Sequence, residues 1–192
     1  MIPRVRLLRP VPARRTFHAA IACVLALLGT GALGACGEKG GEKDPAREGI
    51  EVRIGGLDYN VYITRLLNLK DPEDRDYYRG REAPPGQQLV GVFLRVCNNE
   101  DEPARAVEEF EVVDTQENHF KPLEVPPDNL FAYRSRELAK DDCIPEAGSA
   151  AASSPVGGSL LIFQMPNSAL ENRPLELDIH GPGEPRHIEL DL

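Results

Sequence analysis

Cysteines, histidines and clustered carboxylates are the residues of this sequence whose chemistry reaches beyond packing. His18 lies in the basic and apolar N-terminal stretch, His119 follows a run of polar turn residues, and His180 and His187 flank Gly181-Pro182-Gly183. Nucleophilic catalysis needs a histidine placed to take a proton from Ser, Thr or Cys. No Gly-x-Ser-x-Gly elbow and no His-Glu-x-x-His pair occurs. The histidines therefore read as exposed loop residues, and the chain as non-enzymatic, with no catalytic residue, no cofactor and no metal site. Two acidic runs, Asp71-Pro72-Glu73-Asp74-Arg75-Asp76 and Asn98-Asn99-Glu100-Asp101-Glu102, offer the hard oxygen ligands that calcium prefers. Neither fits the twelve-residue calcium loop with its central glycine. They read as a solvated helix start and a solvated hairpin turn, with a calcium-binding module as the remote alternative.

Cys36 stands at the end of an export segment. Met1 to Thr16 contain five arginines and no acid, an apolar run spans Ala19 to Leu28, and mostly small residues follow to Ala35. A basic region, a short apolar region and a small-residue cleavage site make a secretory signal. The apolar region is too short for a spanning helix, which needs ~20 apolar residues. Leu33-Gly34-Ala35-Cys36 resembles the lipobox of bacterial lipoproteins, with an aliphatic residue three before the cysteine and small residues between. That resemblance implies cleavage just before Cys36, diacylglycerol on its thiol, and a chain held to the extracytoplasmic face of the membrane by its acyl groups. Arg14-Arg15-Thr16-Phe17 is similar to a twin-arginine export signal. His18 then replaces the usual large aliphatic residue, so the general secretory route is the preferred reading.

Removing residues 1–35 leaves 157 residues, enough for one domain. Five arginines leave with the signal, so 17 Lys+Arg face 31 Asp+Glu and the formal charge is −14. That charge excludes nucleic acid, whose phosphates demand a basic surface. It also excludes broad docking onto anionic lipid, so acyl chains must supply the attachment. Cys97 and Cys143 remain as an even pair in an oxidising compartment and are expected to form a disulfide. Closing that loop stabilises the fold by roughly 4 kcal/mol in the chain-entropy model.

The elements that position these residues are mostly strands. Residues 36–49 are the lipidated cysteine and a polar tether with a span of ~20 Å. From residue 50 to 192 the pattern is that of one domain. Ile50, Val52 and Ile54 alternate with Glu51 and Arg53, Gly55-Gly56 turns the chain, and Leu57, Tyr59, Val61 and Ile63 repeat the period. Asp71-Pro72 opens a helix of one or two turns. Along Gln88 to Cys97, Val90, Val92, Leu94 and Val96 form an apolar face while Leu89, Phe93 and Arg95 form a mixed one, as in a central strand. Cys97 lies on the mixed face, so its disulfide would pin a loop to the flank of the sheet. Phe110 and Val112, Leu160 to Phe163, Leu175 to Ile179, and Ile188 to Leu192 supply further strands, and Ala147 to Ser154 reads as a low-complexity linker. Seven or so short strands, frequent turns and no long amphipathic helix predict an all-β, immunoglobulin-like antiparallel sandwich with one short helical turn.

Three pieces resemble a known group. They are Val90-Gly91-Val92-Phe93-Leu94-Arg95-Val96 with Asn98, Phe110 through Asp114-Thr115 to Phe120-Lys121-Pro122, and Gly158 through Phe163-Gln164-Met165-Pro166 to Asn172-Arg173-Pro174-Leu175-Glu176-Leu177. With the lipobox they look like uncharacterised actinobacterial lipoproteins, whose immunoglobulin-like domain is similar to that of secreted mycobacterial antigens and small Gram-positive lipoproteins. The resemblance implies a fold and a location and carries no activity. Where that pattern has Gly in the turn after the aspartate, this chain has Asn118, another residue that tolerates a left-handed conformation.

Tyr77, Tyr78, Phe131 and Tyr133 fall in irregular segments. Aromatic residues on loops are where partners dock, although plugs closing the ends of a sandwich would show the same pattern. The functional expectation is a lipid-anchored extracytoplasmic protein binding a protein or envelope partner through sandwich loops. Its alternative is a structural or antigen-like surface protein with no specific ligand.

Overall fold

The computed structural model describes residues 45–192; the export signal, Cys36 and most of the tether lie outside the described residues. Among the described residues twelve strands form two main sheets and one two-stranded sheet, accompanied by two short helices. The first contains β2 (Val52–Ile54), β3 (Leu57–Leu67), β4 (Gln87–Cys97) and β10 (Ser159–Pro166), in the order β10-β4-β3-β2. The second contains β1 (Ala46–Arg47), β6 (Phe110–Val113), β7 (His119–Phe120), β11 (Leu175–Ile179) and β12 (Arg186–Leu190), in the order β1-β12-β11-β6-β7. The short strands β5 (Ala104–Arg105) and β8 (Glu137–Leu138) pair with each other, and β9 (Cys143–Ile144) pairs with the end of β4.

This connectivity is immunoglobulin-like. Pairing of β3 with β4 and β4 with β10 in one sheet, and of β6 with β11 and β11 with β12 in the other, matches the A-B-E and C-F-G pairings of that fold. The core follows from strand periodicity. Val90, Val92, Leu94 and Val96 of β4 meet Val112, Leu177 and Ile188 of the facing sheet in one buried cluster. Gly55 and Gly56 both take positive φ, 57° and 86°, as a two-residue hairpin turn requires.

The mixed face of β4 is also buried. Leu89 and Phe93 join Leu67, Tyr77, Tyr78, Leu160 and Ile162 in a second cluster outside the sandwich. Helix α1 (Pro72–Tyr77) provides the lid. Its first turn is capped by Asp71, which accepts from Glu73 N at 2.9 Å, while Asp74 accepts from the Asn68 backbone N–H at 2.7 Å and pairs with Arg65. Gly91 sits beneath this lid, where a Cβ would lie 3.0 Å from Leu67 Cδ2.

Several features of the framework depart from the sequence expectation. Residues 45–49 are built into the fold: β1 runs parallel to β12, and Glu48 accepts from the Thr64 and Asp191 backbone N–H groups. Backbone pairing and one carboxylate hold this segment, so no apolar period marks it. Ala147–Ser154 is a series of hydrogen-bonded turns, with Ser153 N donating to Ser149 O at 3.0 Å and Ala151 buried. A second helix, α2 (Asn167–Glu171), follows β10 directly. Finally, the left-handed residue of the 114–118 turn is Glu117 (φ 60°), while Asn118 instead donates to Asp114.

The disulfide joins Cys97 to Cys143 across neighbouring strands of one sheet. It pins residues 139–150, whose own apolar burial is slight beyond Ile144 and Pro145. Residues 131–138 instead carry Tyr133 and Leu138, both core residues. Reduction is expected to raise hydrogen exchange in 139–150 first, to leave the sandwich folded, and to cost about 2–4 kcal/mol in urea unfolding. Simultaneous loss of protection in β3 and β4 would contradict this ordering.

Candidate functional site

Three of the four loop aromatics turn inward. Tyr77 and Tyr78 sit in the outer cluster, with the Tyr77 ring 5.0 Å from both Phe93 and Phe131 in edge contacts. Tyr133 lies in the main core, 5.1 Å from Phe110. Its hydroxyl donates to Val107 O at 2.8 Å, while the Val107 N–H donates to the Tyr59 hydroxyl at 2.7 Å. Burial, followed by the neighbouring Tyr59, pushes the Tyr133 phenol far above its ordinary value. For these three ring burial supports the plug, and Tyr78 reaches the surface only as part of a hollow's wall. Phe131 stays partly exposed beside Leu130, which is 72% exposed. Both line a shallow hollow with Tyr78, Arg79, Pro126 and Asn129.

The acidic runs are engaged by the fold's own cations and amides. Glu73 and Asp74 meet Arg65, Glu100 meets Arg53, and Asp101 meets Lys140. Asn98 is buried and donates to Glu102 O and Leu138 O, both at 2.9 Å. These contacts pair four of the runs' carboxylates with cations of the fold.

The histidines are placed differently from the loop expectation. His119 lies in β7, His180 directly follows β11, and His187 lies in β12, which begins two residues earlier than its apolar alternation suggests. All three project onto the outer face of the second sheet. His119 Nδ1 is 2.9 Å from Glu111, His180 Nε2 is 3.7 Å from the same carboxylate, and His187 Nδ1 is 2.6 Å from Asp178 and 3.9 Å from Glu176. His180 Nε2 is buried and makes no hydrogen bond. Burial draws the Glu111 carboxyl upward, but His119 and Lys121 outweigh it and hold it below the usual range.

Register explains the crowding. Asp178 is the cross-strand partner of both Glu111 and His187, and Glu176 is that of Glu189. Directly opposed residues share a face, so four carboxylates meet there. Lys121 approaches Glu111 at 3.5 Å and Arg47 approaches Glu189 at 3.9 Å, at opposite edges of the group. Ligand atoms of Glu176, Asp178 and His187 all lie within 4.8 Å of one another. The clue in the sequence was Glu-x-Asp on one predicted strand and His-x-Glu near the start of the next, since period two places each pair on one face.

No family model matches the sequence, and no curated protein matches it. Among solved structures, the chain is similar to the yjhA protein of Bacillus subtilis, with 7% identity, a TM-score of 0.45, and coverage of 76% of this chain and 99% of that one. An uncharacterised β-sandwich protein of Clostridium difficile follows at 9% identity and a TM-score of 0.43, covering 78% and 97%. A third, the ycdA protein of Bacillus subtilis, described as a candidate lipoprotein, has 10% identity and a TM-score of 0.42, covering 74% of this chain and 38% of that one. At these scores none transfers a function to this chain.

A further buried carboxylate, Asp114, lies just after β6. Burial alone would raise Asp114, but hydrogen bonds from Asn172 and Asn118 and from the backbone N–H groups of Asn118 and Gln116 outweigh it and hold it at about 2. Asp114 therefore closes a turn and ties α2's end to it. A depressed folded pKa stabilises fully above the unfolded value, about 3.9, and that contribution fades as pH falls toward about 2. Discounted for the solvent bordering this turn, the contribution is roughly 1–2 kcal/mol. Asp114→Ala is expected to lose that stability at neutral pH and to flatten the acid dependence between about pH 4 and 2; an unchanged acid profile would contradict this role.

Proposed function

We propose that the chain is a lipid-anchored, non-enzymatic protein of the extracytoplasmic membrane face, of the kind found among actinobacterial lipoproteins, which presents an immunoglobulin-like sandwich to a protein or envelope partner. The observation that carries this reading is the stretch Leu33-Gly34-Ala35-Cys36, lying a short tether ahead of a disulfide-bonded domain. A structural disulfide fits an oxidising compartment. Among the described residues no helix is long and apolar enough to cross a membrane. Acyl groups on Cys36 then supply the attachment, since several chains anchor stably where one does not.

The docking surface is the hollow around Leu130 and Phe131, of about 380 Å³. Among the described residues Leu130 is the most exposed of the large apolar side chains, and its loop is held by Asn129, whose side chain accepts from the Phe131 and Ala132 N–H groups. An apolar side chain on a fixed loop is a suitable anchor for a partner.

Intact mass of the protein isolated from membranes tests the anchor. A diacylated chain beginning at Cys36 is expected, and Cys36→Ser should give an uncleaved or shed form without lipid; an unmodified N-terminus beginning elsewhere would refute the reading. A photocrosslinker replacing Leu130 is expected to capture one reproducible partner that the same group at Glu189 does not. Identical capture from both positions would remove the hollow as the docking surface.

A further inference from the structure

We propose that Glu176, Asp178 and His187 form a binding site for a divalent first-row transition cation, with Zn²⁺ as its probe, on the outer face of the second sheet. The inference goes beyond the anchoring and docking reading and stands or falls independently of it.

Three observations converge on this site. The donor atoms are one imidazole nitrogen and two carboxylate oxygens, all within 4.8 Å of one another. Bonds of about 2.0–2.2 Å to a common ion require ligand atoms to lie within about 4 Å of each other, so small side-chain movements suffice. Position is supplied by β11 and the adjacent β12, where Asp178 and His187 are cross-strand partners and Glu176 is the next residue on the same face. Sites built on strands are held more firmly than sites on loops.

The second observation is electrostatic. Glu176 opposes Glu189 and Asp178 opposes Glu111 across neighbouring strands. Like charges directly opposite destabilise a sheet. Lys121 and Arg47 sit at the outer carboxylates, Glu111 and Glu189. Between them, Glu176 and Asp178 converge on His187, and a bound cation would relieve the repulsion at that point.

The third observation is the ligand chemistry. An imidazole with two carboxylates suits zinc, copper or nickel, whereas calcium and magnesium take sets of oxygen ligands. Asp178 is buried while Glu176 and His187 are partly exposed, so an ion would be held by the protein on one side and open to water or a partner's donor on the other. Three protein ligands and an open position are a recurring zinc arrangement.

Isothermal titration of ZnCl₂ into the purified protein, stripped of metal, tests the proposal. Wild type is expected to bind one zinc, and His187→Gln and Asp178→Asn to weaken binding by at least about tenfold while keeping the wild-type circular dichroism spectrum. His119→Gln, on the neighbouring Glu111 cluster, is expected to bind within about twofold of wild type. CaCl₂ is expected to give no heat that depends on His187. No zinc heat in wild type, or zinc binding that His187→Gln leaves unchanged, overturns the site. Selective loss in His119→Gln places binding at Glu111 and likewise overturns it. Should His187→Gln unfold, Asp178→Asn and nitrogen couplings in the wild-type Cu²⁺ resonance spectrum decide the matter, and a spectrum lacking imidazole nitrogen rejects the proposal.

Discussion

Burial of β4 on both faces is the constraint from which the architecture follows. Its inner face, Val90 to Val96, needs a second sheet, and its outer face, Leu89 and Phe93, needs a separate cover. An immunoglobulin-like sandwich meets the first need. Helix α1 and the segment from Leu123 to Phe131 meet the second by packing over Leu67, Phe93, Leu160 and Ile162. Each buried aromatic is worth several kcal/mol to the fold, about 3–5 on truncation to Ala. This explains why Tyr77 and Tyr78 serve the fold rather than a partner. The disulfide belongs to the same logic: it fastens a weakly packed segment to the end of the strand whose position is most firmly set.

The cover over β4 has a consequence for the opposite layer. The second sheet packs inward through Val112, Leu177 and Ile188 and leaves its other face polar. Glu111, Glu176, Asp178 and Glu189 gather there with all three histidines of the described residues. Packing does not require such a face. Alternating charges would stabilise the sheet better than opposed acids, and natural proteins tolerate such local costs where binding benefits. The electrostatics therefore separate two surfaces of different character, an apolar hollow at Leu130 and a carboxylate–imidazole face on the far sheet.

Much of the framework was legible in the residues. Alternation along β4, β11 and the first half of β3, the Gly55-Gly56 turn and the Asp71-Pro72 helix start are local signals, whereas a bulge between Val61 and Ile63 breaks the expected period and leaves Ile63 exposed. The cysteine pair was legible because Cys97 and Cys143 are the two cysteines within the stretch that reads as the domain. What the residues concealed depends on contacts between distant segments. The two-residue strands β1, β5, β7, β8 and β9 are too short to show a period. The inward turn of Tyr77 and Tyr133 is set by partners far away in sequence, Phe93 and Phe110 among them. His187 looked like a loop residue because Gly181-Pro182-Gly183 suggested a wider turn than the one that forms. Its meeting with Glu176 and Asp178 required the register of β11 on β12.

The direct measure of whether the acidic face is held for binding at a cost to stability is urea unfolding of the metal-free protein with Glu176→Gln. Removing one of the opposed charges is expected to stabilise the fold by about 0.2–1 kcal/mol, with a rise in midpoint and an unchanged slope. A loss of stability would mean that Glu176 is an ordinary structural partner of this sheet, and the electrostatic reading of the face would be wrong.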